Sequence, residues 1–198
     1  MTTETKVKEY PILFTGEMVR AILDGRKTQT RRVMRYQPQP FVHVEYGDGM
    51  GWHLWWDVCV AGHGGDVTQE YKPIKCPYGQ PGDHLWVRET FSQDDSDPLH
   101  PTGTYYRATH SVYDESVKWK PCIFMPRAAS RITLEVTNVD VERLGAMTPE
   151  EAIAEGISHE KGVDPIVTFA KLWDSLNEKR GFSWQSNPWI WILRFRKV

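Results

Sequence analysis

Apolar positions along this chain recur with a period of two in some stretches and close to 3.6 in others, and each change of period marks a predicted element. Residues 11–14 form a short apolar run that predicts a strand. Thr15 follows as a helix cap with Glu17 in the first turn. Met18, Val19, Ile22 and Leu23 then share one helical face until Gly25 ends the helix as a C′ glycine. Residues 27–33 read as a polar strand. Residues 85–91 alternate Leu85, Val87 and Glu89 against Trp86, Arg88 and Thr90, which predicts a strand with one mixed face. Residues 104–108 predict another. Residues 131–141 alternate most clearly, with Ile132, Leu134 and Val136 inward and Arg131, Thr133, Glu135 and Thr137 outward.

Two helices and a strand complete the pattern. Thr148-Pro149-Glu150-Glu151 is a capping box with proline at the first helical position, and Gly156 closes that short helix. Asp164-Pro165 opens a second helix, in which Phe169, Leu172, Trp173 and Leu176 fall at i, i+3, i+4 and i+7. The final strand sets Trp189, Trp191, Leu193 and Phe195 against Ile190, Ile192, Arg194 and Arg196. Residues 36–81 are less regular. Residues 42–46, 52–60 and 67–71 read as short strands split by glycine-rich turns, an inserted hairpin array rather than a second domain. The expected fold class is α+β: one domain over residues 1–198, a small mixed β-barrel with short helices at its ends and an insertion at about residues 36–81.

Composition narrows the classes. A length of 198 residues suits one domain with sizeable insertions, and nine Trp must serve as core or as ligand platform. No run of about 18 apolar residues is present, so no membrane span is expected. The polar N-terminus lacks an apolar signal core, which makes the cytoplasm the expected compartment. Cys59, Cys76 and Cys122 form no CxxC pair and read as free thiols. A Cys59/His63/Cys76 zinc site fits no standard spacing, so neither metal nor cofactor is expected. A monomer is the default.

Charge is balanced overall, 24 Lys+Arg against 26 Asp+Glu, yet Arg20, Arg26, Lys27, Arg31, Arg32 and Arg35 cluster around a single acid, Asp24. Basic groups interleaved with hydroxyls suit a nucleotide-like or other polar ligand. The ordered pieces Gly25-Arg26-Lys27-Thr28-Gln29-Thr30-Arg31-Arg32, Gly82-Asp83-His84-Leu85-Trp86-Val87 and the capped helix ending near Glu155 resemble the ASCH family of the PUA-like superfamily. The likeness is strongest to its long phage and prophage members, which share the opening Pro11-Ile12-Leu13-Phe14 and the ending Asn187-Pro188-Trp189. The resemblance implies a PUA-like β-barrel and a nucleic-acid or nucleoside ligand. Some small bacterial members remove the acetyl group from N4-acetylcytidine with a Lys, a Thr and a Glu. By this resemblance those roles fall on Lys27, Thr30 and Glu155, and the arginine after the threonine falls on Arg32.

The chemistry can be stated on the residues. A threonine hydroxyl needs a base, and a neutral Lys27 can serve if burial or nearby positive charge disfavours its ammonium form. Glu155, at the C-terminal end of its helix, can either donate a proton to the leaving amine or activate water while Lys27 holds the oxyanion. Arg26, Thr28, Arg31, Arg32, Trp86, Arg88 and Glu89 are the candidate substrate-binding residues. One geometric obstacle stands out: in a regular strand Lys27 and Thr30 point to opposite faces. Lys27 joins the site only from a turn before the strand or through a bulge. The bland alternative is a solvated basic strand and a surface carboxylate. Two functions compete: an acyl-N4-cytidine amidohydrolase, and a non-catalytic or RNA-cleaving module that binds RNA or a modified base. Binding of the second kind would weaken steeply with salt.

Overall fold

The computed structural model describes residues 6–37, 42–47, 51–59, 67–93, 103–110, 117–158 and 162–198. Its main layer is a five-stranded mixed sheet in the order β1 (Glu9–Leu13), β6 (His84–Arg88), β9 (Thr133–Arg143), β10 (Trp189–Lys197), β2 (Gln29–Val33). β1 runs parallel to β6, and every other pairing in this sheet is antiparallel. Strands β3 (Val42–Gly47), β4 (Gly51–Cys59) and β5 (Val67–Ile74) form a separate antiparallel meander, inside the stretch expected to be an insertion. The indole of Trp52 ties it to the main sheet by donating to the Val139 carbonyl at 3.3 Å. β7 (Phe91–Gln93) and β8 (Thr104–Tyr106) make a small ribbon. The Cys59/His63/Cys76 trio lies partly outside the described residues, since His63 falls in 60–66.

The α+β class holds, but the sheet is open. β1 and β2 are its two edges, and no ladder joins them among the described residues. What reaches across is a side chain: Nη2 of Arg32 on β2 donates to the carbonyl of Leu13, the last residue of β1, at 2.7 Å. The strand predicted over residues 85–91 is two strands. β6 stops at Arg88 and β7 starts at Phe91 with a different partner, because Glu89 turns inward to meet Arg131 rather than continuing the ladder.

Along β9 the alternation changes parity. Leu134 and Val136 are buried, and so are Val139 and Val141. The slip is a bulge: Asn138 opposes Arg194 and Val136 opposes Phe195, leaving Thr137 as the extra residue. β10 departs from a one-sided strand for another reason. Ile190, Trp191, Ile192 and Leu193 are all buried because both faces of the sheet are covered. One face meets α1 (Gly16–Leu23), where Val19 and Ile22 pack with Phe14, Leu134, Trp191 and Leu193. The other meets α2 (Pro149–Ala154) and α3 (Pro165–Asn177), where Ala152, Phe169 and Trp173 pack with Ile190 and Ile192.

The caps are those the residues require. The Thr15 hydroxyl accepts from the Met18 amide at 3.3 Å. Thr148 and Glu151 close the reciprocal capping box, and the Asp164 carboxylate accepts from the Ile166 amide at 2.8 Å. Gly25, at φ +73°, ends the α1 turn and sends Lys27 toward the C-terminus of α2.

Candidate functional site

Lys27 sits in the turn between α1 and β2, but it keeps the parity opposite to Thr30 and is not among the residues that line the cavity beside β2. It forms an isolated antiparallel bridge with Glu155, the residue that caps the C-terminus of α2. Its Nζ donates to Glu155 Oε2 at 2.7 Å and to the Glu155 carbonyl at 2.8 Å. Oε1 of the same carboxylate accepts from Arg31 Nη1 at 3.3 Å, and Arg31 Nη2 donates to Glu151 Oε2 at 2.7 Å. The amide of Gln29 donates to the Glu151 carbonyl at 2.9 Å. Lys27, Gln29 and Arg31 thus share one parity, as i, i+2 and i+4 should, and all three reach α2.

Thr30 and Arg32 point to the other side of β2, opposite Leu193 and Trp191 of β10. Arg31 and Glu155 still meet Thr30 and Arg32, because β2 is an edge strand and its unpaired side opens into a cavity of about 480 Å³. Thr30, Arg31, Arg32, Glu155, Phe14 and Trp173 are among the residues in its wall. A volume of this size suits a small ligand, for which pockets of roughly 300–1,000 Å³ are usual. The Thr30 hydroxyl makes no hydrogen bond among the described residues.

Burial dominates the electrostatics. Lys27, Thr30 and Glu155 expose 2%, 1% and 4% of their surface. Desolvation pushes the Lys27 ammonium below its ordinary pKa; the Glu155 carboxylate opposes this, and Arg32 and Arg31 reinforce it. The Nζ also lies 5.5 Å from the centre of the Phe14 ring, and the Arg32 guanidinium lies 5.1 Å from the same ring. Gly156 fixes the approach. Its φ is +89°, and a Cβ there would stand 2.8 Å from the Ala21 Cβ and 3.0 Å from the Lys27 Cβ.

The other candidates fall elsewhere. Arg26 is exposed, donating to Asp24 at 3.0 Å and to the Gly156 carbonyl at 3.1 Å, so it ties the end of α1 to the end of α2. Thr28 is exposed, and its backbone splices Ala154 to Phe195. Arg88 lies 5.4 Å over the Trp86 ring and donates to the Ile123 carbonyl. Glu89 is buried, with Oε1 and Oε2 accepting from Arg131 at 2.9 and 3.1 Å, and Arg131 stacks 4.0 Å from the Tyr106 ring. None of Trp86, Arg88 and Glu89 lines the cavity, although their neighbour Thr90 does. Cys76 and Cys122 are free thiols, and burial pushes Cys76 up to about 12, which makes it a poor nucleophile. Among the described residues no group of three His, Cys, Asp or Glu could hold a metal ion. No helix there is long and apolar enough to cross a membrane.

Sequence reasoning missed two parts of the site. Glu151 reads from the sequence as a capping residue alone, yet it also holds Arg31; its spacing of four from Glu155 puts both carboxylates on one helix face and was the available signal. The wall from α3 and the turn after it, with Asn177 and Arg180, had no signal beyond the apolar stripe. Comparison of the chain with protein-family models, with curated proteins and with solved structures finds no match in any of the three.

Proposed function

We propose that this chain is an amidohydrolase that removes an acyl group from the exocyclic N4 of a modified cytidine or a closely related base. The observation that carries the reading is the buried Lys27–Glu155 pair, whose carboxylate residue lines one cavity together with Thr30. Burial, with Arg32 and Arg31 nearby, favours the neutral Lys27 amine against the pull of Glu155. Two N–H groups go to Glu155 and the lone pair remains for a proton.

In this mechanism the Thr30 oxygen attacks the acyl carbonyl carbon while its proton passes to the Lys27 amine. The carbonyl oxygen becomes an oxyanion, which the ammonium formed on Lys27 in the same step stabilises. The tetrahedral intermediate collapses, the C–N bond breaks, and the leaving N4 takes the proton from Lys27. Water then adds to the acyl-threonine ester, again giving its proton to Lys27, and the ester breaks to release the carboxylic acid and restore Thr30. The sum is amide plus water to amine plus acid. Glu155 positions Lys27, and Arg31, held by Glu151, keeps the carboxylate in place.

In the same reading the open sheet is a PUA-like barrel of ASCH type whose seam, between β1 and β2, is the cavity itself. Arg32 spans that seam and Phe14 lines it. The test is incubation with N4-acetylcytidine and a panel of other N4-acyl cytidines, following the ultraviolet shift to cytidine. Turnover by the wild type, lost in Lys27→Ala and Glu155→Gln variants that stay folded, supports the assignment. No turnover across the panel, with RNA binding that weakens steeply as salt rises, overturns it in favour of an RNA reader.

A further inference from the structure

The cavity carries two arginines that make no ion pair among the described residues. Arg32 lines it from β2 and Arg180 from the turn just past the C-terminus of α3. Every other arginine of the site is paired: Arg31 bonds both Glu151 and Glu155. Arg32 and Arg180 form no ion pair among the described residues. The hydrogen bonds of Arg32 and Arg180 go instead to the Leu13 carbonyl (2.7 Å) and to Asn177 Oδ1 (3.2 Å), which fix the direction of each fork while leaving most of its N–H groups free. Charge on Arg32 is disfavoured chiefly by burial, and Arg180 adds to this while Glu155 opposes it. Like charges brought together over an unfilled space are unfavourable until an anion sits between them. Tyr78, from the segment after β5, lines the same cavity and adds a phenolic hydroxyl.

We infer that the mouth of this cavity is a phosphate subsite formed by Arg32 and Arg180, and that the ligand of the cavity is a mononucleotide rather than an uncharged nucleoside. Guanidinium forks match the terminal oxygens of a phosphate, and two of them complement a dianion. The rest of the cavity suits the remainder of such a ligand. Phe14, Phe169 and Trp173 offer flat apolar surface for a ring, and the buried Thr30 and Glu155 line the same cavity. Arg180 is exposed and Thr30 is buried, so the phosphate faces solvent and the base points inward. The choice of cytosine rests on the hydrolase reading above, whereas the phosphate subsite does not.

Calorimetric titration separates the possibilities. Cytidine, cytidine 5′-monophosphate, cytidine 3′-monophosphate, inorganic phosphate and a short cytidine-containing RNA are compared on the wild type and on Arg180→Ala and Arg180→Lys. One of the two monophosphates binds at least about tenfold more tightly than cytidine, since one charge-assisted contact is worth about a factor of ten or more. Arg180→Ala removes that preference without changing the affinity for cytidine, and Arg180→Lys restores part of it. Inorganic phosphate competes with the monophosphate and not with cytidine. Equal affinities for nucleoside and nucleotide, a preference untouched by Arg180→Ala, no binding of either, or an RNA that outcompetes both monophosphates would each overturn the assignment. Turnover of N4-acetylcytidine with no phosphate preference would sink this subsite and leave the hydrolase standing. Phosphate-dependent binding without turnover of any acylated nucleoside or nucleotide would do the reverse.

Discussion

Replacing Lys27 or Glu155 tests the site's construction before any substrate is known. Their side chains are 0% and 3% exposed and 2.7 Å apart, so the rules for buried pairs apply rather than those for surface pairs. Breaking a buried pair by removing one partner costs about 3–5 kcal/mol, because it leaves a charge in a place water does not reach. Lys27→Met leaves Glu155 with Arg31 at 3.3 Å, so its cost falls near the lower end, about 3 kcal/mol. Glu155→Gln leaves the Lys27 cation with only neutral acceptors and takes one of two acidic partners from Arg31, so its cost falls higher, about 4–5 kcal/mol. The double variant removes the mismatch along with the pair. It costs about 2 kcal/mol less than the sum of the singles, within the coupling range for residues in contact. Urea unfolding followed by tryptophan fluorescence measures all four proteins, with the denaturant dependence constant across the set. Single costs below about 1 kcal/mol, or strict additivity, would show that the pair is a solvated one and that the buried cavity wall has been misread.

Four further outcomes follow from the same geometry. The rate of a reaction that uses Lys27 as base rises with pH through an apparent pKa below the ordinary lysine value of about 10.4, and a flat pH–rate profile would argue against that role. Stability moves with the same sign: the native Lys27 sheds its proton at a lower pH than the unfolded chain does. The cost of the buried ammonium is therefore full below the folded pKa and is relieved as pH rises through it, so wild type gains on Lys27→Met in alkaline solution. Gly156→Ala forces a side chain into a left-handed backbone and against the Ala21 and Lys27 Cβ atoms; about 1–3 kcal/mol of lost stability and reduced turnover are expected, measured by urea titration and initial rates. Arg26→Ala, outside the cavity and exposed, leaves turnover of N4-acetylcytidine within about twofold and stability within about 0.5 kcal/mol of wild type.

The parts of the fold legible in the sequence were those governed by local rules. The Thr15 and Thr148 caps, the glycine stops at Gly25 and Gly156, and the inward set Leu134 and Val136 follow from short-range chemistry and stand in the structure. What was not legible depends on partners distant in sequence. Nothing near residues 9–13 says that this strand runs parallel to His84–Arg88, and nothing near Thr137 announces the bulge that moves Val139 and Val141 to the buried side. The site divides in the same way. The Lys27 turn was foreseeable from Gly25, and the carboxylate spacing of Glu151 and Glu155 from helical period. Arg180, however, enters the cavity only because α3 packs back across β10. Glu89 could be read either as an ion-pair partner across the sheet or as a cleft residue, and the structure pairs it with Arg131.

The central claim is that Lys27, Thr30 and Glu155 act as one chemical unit, and the turnover of N4-acetylcytidine by the single variants Lys27→Met, Thr30→Val and Glu155→Gln and by their triple combination tests it most directly. Groups that act as a unit are strongly non-additive, so Lys27→Met and Thr30→Val should each lower kcat/KM to within about tenfold of the triple variant. Losses that multiply from one variant to the next, or a Thr30→Val protein that works at the wild-type rate, would contradict it.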